Sequence, residues 1–328
     1  MKIKLLALLL ALPFGCVSAQ EYSSSFNVLN LPASSHVAAL GGRNITLLED
    51  NPAIGWSNPA RYADVSDKKL SLSFMSYAAG SSWMGAHFTK AFGERHTMAV
   101  GVQYMNYGSM DETDEWGQTI GDFNAKDIVL GVGYSYLFSD RWTGGAMLKG
   151  TVSNLADYTA ATVSVDLGLN YYDEEQDLSV SAALRNIGTQ VNSYDGYVRT
   201  HLPFSLDLGF SQGMAHLPVR IHATLTDLTR WKSSYYALPE PDSKQPDLTR
   251  KVLNHLVLGL DILPSETVYL ALGYNFRHAY ELKAAGSSHW AGLSAGGGIN
   301  LQRFQFGIAY TQYHQSTGSL MVSAAYRL

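Results

Sequence analysis

Ser66-Asp67-Lys68-Lys69 spells Ser-x-x-Lys, the spacing by which penicillin-binding enzymes set a serine nucleophile beside a lysine. No Lys-Thr-Gly follows it, and the segment lies where irregular chain meets the first alternating strand, with no helix to hold Ser66 over Lys69. It reads as a junction. The ten histidines include no His-Glu-x-x-His pair, so they read as loop or interior residues rather than metal ligands. No Gly-x-Ser-x-Gly elbow and no phosphate-cradling loop occurs; Gly296-Gly297-Gly298 sits inside a strand, where small residues ease close packing or curvature. Asp111-Glu112-Thr113-Asp114-Glu115 is an acidic run in an expected surface loop. It reads first as solvated charge, with bridging of divalent cations to lipopolysaccharide as the sharper alternative. These residues call for no enzyme, no cofactor and no metal.

The elements around them come from composition. The 328 residues are 46% hydrophobic and only 16% charged, with 30 glycines and 20 tyrosines. Soluble domains carry roughly 25% charged residues, so much of the usual solvated surface is missing. Disorder is excluded by the apolar share and a net charge of −5. Nucleic-acid binding is excluded too, because 23 Lys+Arg do not exceed 28 Asp+Glu. Past the first twenty residues no run approaches the ~18 apolar residues of a spanning helix.

The N-terminus reads as a signal peptide over residues 1–19. Lys2 and Lys4 precede an apolar stretch from Leu5 to Val17, and Val17-Ser18-Ala19 forms a small-residue cleavage site before Gln20. The single cysteine, Cys16, falls inside this leader, so disulfides, thiol catalysis and cysteine-based zinc sites are not expected in an exported chain.

From residue 70 to 328 one pattern repeats. Ile128, Leu130, Val132, Tyr134, Tyr136 and Phe138 point one way, and Val129, Gly131, Gly133 and Ser135 the other. Such period-2 alternation predicts strands, and fourteen segments show it: 70–77, 82–91, 96–107, 127–138, 142–153, 158–172, 178–187, 202–212, 218–228, 255–263, 267–276, 291–301, 304–313 and 319–328. Every second connection is tight, while 108–126, 188–201, 229–254 and 277–290 are long and share one parity. Short turns on one side and long loops on the other predict an all-β, fourteen-stranded antiparallel transmembrane barrel of the outer membrane, with both termini periplasmic. The small and polar face, carrying Asp166, Asn170, Arg185, Asp207, Arg220, His222, Asp261, Asn275 and Arg327, is expected to line the lumen. Tyr and Phe near segment ends suit interfacial girdles against outer-membrane lipid.

Residues 20–69 break the pattern, with Asn30-Leu31-Pro32, Leu40-Gly41-Gly42, Asn51-Pro52 and Asn58-Pro59 marking turns. Their apolar anchors Phe26, Leu29, Leu31, Leu40, Ile45, Leu47 and Trp56 need burial, which predicts a plug tucked into the lumen rather than a loose periplasmic tail. In the longest loop, Trp231, Tyr235, Tyr236 and Leu238 stand among Pro239, Pro241 and Pro246. Two readings stay open there: a docking surface for a partner, or aromatics folded back to roof the barrel.

The segment Phe26-Asn27-Val28-Leu29-Asn30-Leu31-Pro32-Ala33 through Leu40-Gly41-Gly42, with Glu49-Asp50 and Asn58-Pro59-Ala60, resembles the opening of the PorV/PorQ family of the Bacteroidetes type IX secretion system, the PorQ branch above all. That family is itself similar to FadL-type transporters. His36 stands where the family usually has Arg, and Leu328 where it usually ends in Phe. The resemblance implies a non-enzymatic outer-membrane anchor for an attachment-complex protein at the cell surface, in contact with lipopolysaccharide. The rival expectation is a FadL-like channel for a hydrophobic small molecule, which needs an apolar pocket and a wall opening. Segment 82–91, with Gly85 and His87, is where a strand kink is expected.

Overall fold

A computed structural model describes residues 26–77, 80–194, 200–232, 246–281, 290–314 and 317–328. The alternating segments form strands β1 (Lys69–Ser76), β2 (Ser82–Phe92), β3 (His96–Thr113), β4 (Thr119–Ser139), β5 (Trp142–Leu155), β6 (Tyr158–Asp173) and β7 (Leu178–Asn192). The second half adds β8 (Ser205–Gly213), β9 (Val219–Leu225), β10 (Leu256–Ser265), β11 (Val268–Asn275), β12 (Leu293–Asn300), β13 (Phe304–His314) and β14 (Thr317–Arg327). Each pairs antiparallel with its sequence neighbours, and β1 pairs β14 from Lys69↔Arg327 to Ser76↔Leu320, closing a fourteen-stranded barrel. Closure removes both sheet edges, the condition for a sheet to stand in lipid.

Alternation sorts the two faces. Leu130, Val132 and Tyr134 of β4 are exposed on the outside, whereas Val129 and Ser135 are fully buried within. Asp166, Asn170, Asp207, His222, Asp261 and Asn275 are buried on the inner face. Arg327, expected there, is exposed at the end of β14. One rim carries the tight turns 93–95, 140–141, 174–177, 214–218, 266–267 and 301–303, and the other carries the long connections.

Two expectations are corrected by the strand pairing. The long loop 108–126 is mostly strand: β3 and β4 continue past the rim as a hairpin, pairing Ser109↔Asn124 through Thr113↔Thr119. Its acidic run therefore lies on paired strand up to Thr113, because backbone hydrogen bonds persist where the apolar alternation stops. Strand β2 carries no kink, since it pairs without a register shift with β1 and β3 from Ser82 onward. The wall is interrupted instead at β7. There Leu184 to Ile187 oppose Leu167 to Val165, one residue out of step, with Asn186 at φ 57°. Pairing with β8 ends at Arg185↔Ser205; beyond it Asn186 Nδ2 donates to Pro203 O at 3.0 Å, and Leu202 is buried.

Candidate functional site

Residues 26–68 lie inside the barrel, and their local shape follows from turn-forming residues. Helix α1 (Ser35–Ala39) starts on Ser34, whose side chain accepts from Val37 N. It stops at Gly41 and Gly42, at φ 93° and 79°, where Gly42 N–H donates back to Val37 O at 3.0 Å. Asn51 and Asn58 cap two 3-10 turns, Pro52–Trp56 and Pro59–Asp64, each opened by a proline. Trp56, Leu29, Leu40, Leu47 and Ile54 are almost wholly buried against the wall.

Polar groups on opposite sides of the wall hold this segment. Ser35 N–H donates to Ser323 Oγ at 2.9 Å, and Gly41 N–H to Ser294 Oγ at 3.0 Å. Ser294 Oγ in turn donates to Ala39 O, and Asn275 Nδ2 to Gly41 O. Across the lumen, Arg185 Nη2 donates to Leu29 O at 3.0 Å. His36 is the charged centre of the attachment. Its Nε2 lies 3.0 Å from Asp261 Oδ1, its Nδ1 3.5 Å from Glu49 Oε2, and its ring stacks on Tyr269 at 3.8 Å. Burial alone would lower its pKa; Asp261 and then Glu49 outweigh that and raise it from 6.5 to about 10. The second Asp261 oxygen meets His222 Nε2 at 3.0 Å.

Above the segment, at the rim of the long connections, a cavity of about 330 Å³ remains. Asn27, Asn30, Leu31, Pro32, Gly42 and Arg43 form its floor. Tyr77, Thr226, Asp227, Arg230 and Asn275 reach it from the strand ends, with Arg277, His278 and Glu281 from α3 (Phe276–Glu281). Helix α3 packs against α2 (Leu248–Asn254) in the same rim, where Arg250 lies over the Tyr280 ring. Asn275 Oδ1 accepts from the backbone N–H of Arg277 and His278, which fixes the start of α3 over the floor. Burial, followed by the charges of Arg277 and Arg43, pushes His278 down to about 4, so it is neutral at pH 7.

Ion pairs and hydrogen bonds fix several of the charged groups around the cavity. Arg277 pairs with Asp227 at 3.2 Å and with Glu281 at 2.9 Å. Arg43 donates from Nη2 to Asn30 Oδ1 at 2.9 Å, while its buried Nη1 has no hydrogen-bond partner. The carboxylate nearest to it, Asp207, stands 3.8 Å from Arg43 and 3.8 Å from Arg185. Its Oδ1 is already taken by Ser205 Oγ and by Asp227 N–H.

Of the residues singled out in the sequence, Pro32 and Gly42 line the cavity. Leu40 and Gly41 seat the segment on the wall, and Gly41 could carry no side chain because a Cβ would meet Val257 Cγ1 at 2.4 Å. Asn58 donates from Nδ2 to Ile45 O and caps the turn opened by Pro59. Trp231 is exposed at the rim, where its indole N–H donates to Leu228 O at 2.6 Å and its ring meets His255 at 4.3 Å. Tyr235, Tyr236 and Leu238 lie outside the described residues. Arg43 and Arg277 went unremarked in the sequence, and Asn30 stood there only as a turn residue; Arg43, directly after Gly41-Gly42, is the only basic residue between Phe26 and Arg61 apart from His36.

No family model and no curated protein matches the chain. Solved structures do. The toluene transporter TodX of Pseudomonas putida superposes with a TM-score of 0.57 at 15% identity, over 90% of this chain and 98% of its own. The monoaromatic hydrocarbon channel CymD gives 0.56 at 13%, over 91% and 98%. A Pseudomonas aeruginosa FadL homologue gives 0.53 at 11%, over 90% and 98%. At this identity the likeness shows the fold, that of a FadL-type outer-membrane barrel. It overturns the expectation of a PorV/PorQ-type secretion protein and of an anchor for an attachment-complex partner: two of these structures are named as a toluene transporter and a monoaromatic hydrocarbon channel, and the third as a FadL homologue. The turn residues behind that resemblance do local work in α1 and the two capped 3-10 turns.

Proposed function

We propose that the chain is a non-enzymatic outer-membrane channel for small molecules, gated by the segment 26–68. Its long-connection rim faces the outside, its termini face the periplasm, and outer-membrane lipid covers its apolar belt. One observation carries this reading. The lumen of a closed barrel is filled by a segment attached to β7, β10, β11, β12 and β14 through individual hydrogen bonds and ion pairs, which are breakable, and the cavity sits directly on top of it. The names of the superposable structures, a toluene transporter among them, point the same way.

The gate can be tested by locking it. A Cβ at Gly307 would lie 3.6 Å from Ser35 Cβ, inside the about 3.5–4.5 Å that a disulfide spans. Because Tyr269 Oη would crowd that Cβ at 2.7 Å, Ser35→Cys and Gly307→Cys are combined with Tyr269→Phe. Proteoliposomes holding this variant should take up small solutes when reduced and stop when oxidised. Equal uptake in both states, or none above empty vesicles, refutes the gate.

A further inference from the structure

The two halves of the luminal segment meet the wall differently. Helix α1 and its glycine stop are bonded to β10, β11, β12 and β14. The 3-10 turn Pro52–Trp56 instead lays the Trp56 ring on β3 and β4, beside His87 of β2, with no side-chain hydrogen bond. Gly101 and Gly131, paired across β3 and β4, form the floor under that ring. A Cβ at Gly101 would meet Trp56 Cζ3 at 2.8 Å, and one at Gly131 would meet Cζ3 and Cη2 at 2.9 Å. The six-membered half of the indole therefore occupies a slot that its glycines leave open. Chemistry does not match that fit. His87 stands opposite Gly101, and Gln103 two residues along the same face of β3. The Trp56 and His87 rings meet edge to face at 5.1 Å. His87 and Gln103 are buried, and neither ring nitrogen of the one nor either amide atom of the other has a hydrogen-bond partner. Trp56 Nε1 is unpartnered too, as is Nε1 of Trp83, whose ring meets His87 over Gly85. Burying such atoms unpaired costs stability that a wall built only to seat an indole would avoid with apolar residues.

We infer that this slot is a binding site for a single aromatic ring carrying a hydroxyl, a phenol-type solute, and that Trp56 is the built-in occupant such a solute displaces; this rests on the channel reading and names its substrate class. The solute's ring takes the place of the indole over Gly101 and Gly131. Its hydroxyl supplies one donor and two acceptor sites, to which the Gln103 amide offers both donors and an acceptor and the His87 ring at least one donor. A bare hydrocarbon ring would fill the slot yet leave those atoms as unpaired as Trp56 does, so it gains nothing over the occupant already there. A saturated ring is thicker than the flat indole it would replace. Withdrawal of Trp56 also meets little resistance from the wall beside it. Among the described residues, the turns 52–64 share one side-chain hydrogen bond with β2 to β6, from Tyr62 Oη to Met147 Sδ at 3.7 Å. The polar latch thus lies at α1 and the contact that a ligand competes for lies at Trp56.

Calorimetry on the full chain in detergent tests this with phenol, toluene and cyclohexanol. Trp56→Ala, which vacates the slot, should bind phenol at least tenfold more tightly than toluene or cyclohexanol. Wild type should bind phenol at least tenfold more weakly than Trp56→Ala does, because Trp56 competes for the slot. Gln103→Leu added to Trp56→Ala should cut the preference for phenol over toluene at least fivefold. Heat-modifiable migration on gels confirms that each variant is folded, and Trp56→Leu takes the place of Trp56→Ala if the latter does not fold. Absent phenol binding by the folded variant, equally tight toluene or cyclohexanol, equal phenol affinity in wild type, or a preference unchanged by Gln103→Leu overturns the inference. The disulfide lock separates the two readings. Uptake that follows the lock without phenol binding leaves the channel and removes the aromatic slot. Phenol binding that depends on Trp56 and Gln103, without any uptake, leaves the slot and removes the channel.

Discussion

Alkaline pH should loosen the luminal segment through His36, and the size of the effect follows from its surroundings. Seated in the barrel, His36 is held between Asp261 and Glu49 with a pKa of about 10; withdrawn into water it returns to about 6.5. A pKa raised in the seated state stabilises seating fully below the free value, and that stabilisation disappears as pH rises through the seated value. With about 1.4 kcal/mol per unit, the charge contributes roughly 3 kcal/mol near pH 7.5 and close to nothing near pH 11. The unseated population should therefore rise by two orders of magnitude across that range. His36→Gln keeps a hydrogen-bonding side chain but cannot carry the charge, so it should lose the same roughly 3 kcal/mol at neutral pH and show no further change on alkalinisation. Conductance of single channels in planar bilayers reads the unseated fraction, and the difference between wild type and His36→Gln removes the background from every other pH-dependent group. Parallel pH profiles for the two proteins would refute the latch.

Three further outcomes follow. Lys149 and Asp166 form a wholly buried pair at 2.6 Å, so Lys149→Met should cost about 3–5 kcal/mol in urea unfolding. Lys149→Met with Asp166→Leu should cost only about 1–2 kcal/mol, mainly for the Asn186 N–H that Asp166 now satisfies; equal losses would contradict the pairing. Leu130→Arg on the lipid face should destabilise the folded barrel by about 2–4 kcal/mol in the same titration. Gly145→Val should raise basal solute uptake in proteoliposomes, because its Cβ would meet the Pro59 carbonyl at 2.4 Å, whereas Gly150→Val, with nothing within 4 Å, should leave uptake unchanged.

The barrel was legible because lipid outside and a filled interior enforce period 2 on every strand, and because β1 to β14 each keep it. Where the β3–β4 hairpin leaves the membrane, that demand lapses: Asp111, Glu112 and Asp122 are polar and the strand persists only through pairing. The interruption at β7 turns on an asparagine rather than a glycine: Asn186 stands at positive φ, and its peptide N–H is captured by Asp166 from the neighbouring strand. The cavity was illegible for a different reason. Arg43, Asp227 and Arg277 are distant in sequence, and only barrel closure with the segment inside brings them together. The family resemblance failed at the same level. Asn-Pro caps and a Gly-Gly helix stop are what a compact segment needs to turn within a narrow lumen, so proteins of different function can share them.

The glycines of the wall bear on whether residues 26–68 belong in the lumen. Gly145 meets Pro59, Gly168 meets Asn58, Gly296 meets Ala39 and Gly307 meets Ser35, each so closely that a Cβ would overlap its neighbour. A water-filled pore places no such demand, since a larger polar side chain would be hydrated there at little cost. In β12 the point is sharpest: Gly296 and Gly298 face inward, the first against Ala39 and the second against the Tyr269 ring that stacks on His36. Gly297 between them faces outward, opposite Leu270 and Ile308. Close packing, one of the two reasons a strand tolerates such a run, therefore accounts for the inner pair. The inner wall is a cast of the segment it holds, which makes seating the resting state and displacement the event that the proposed channel requires.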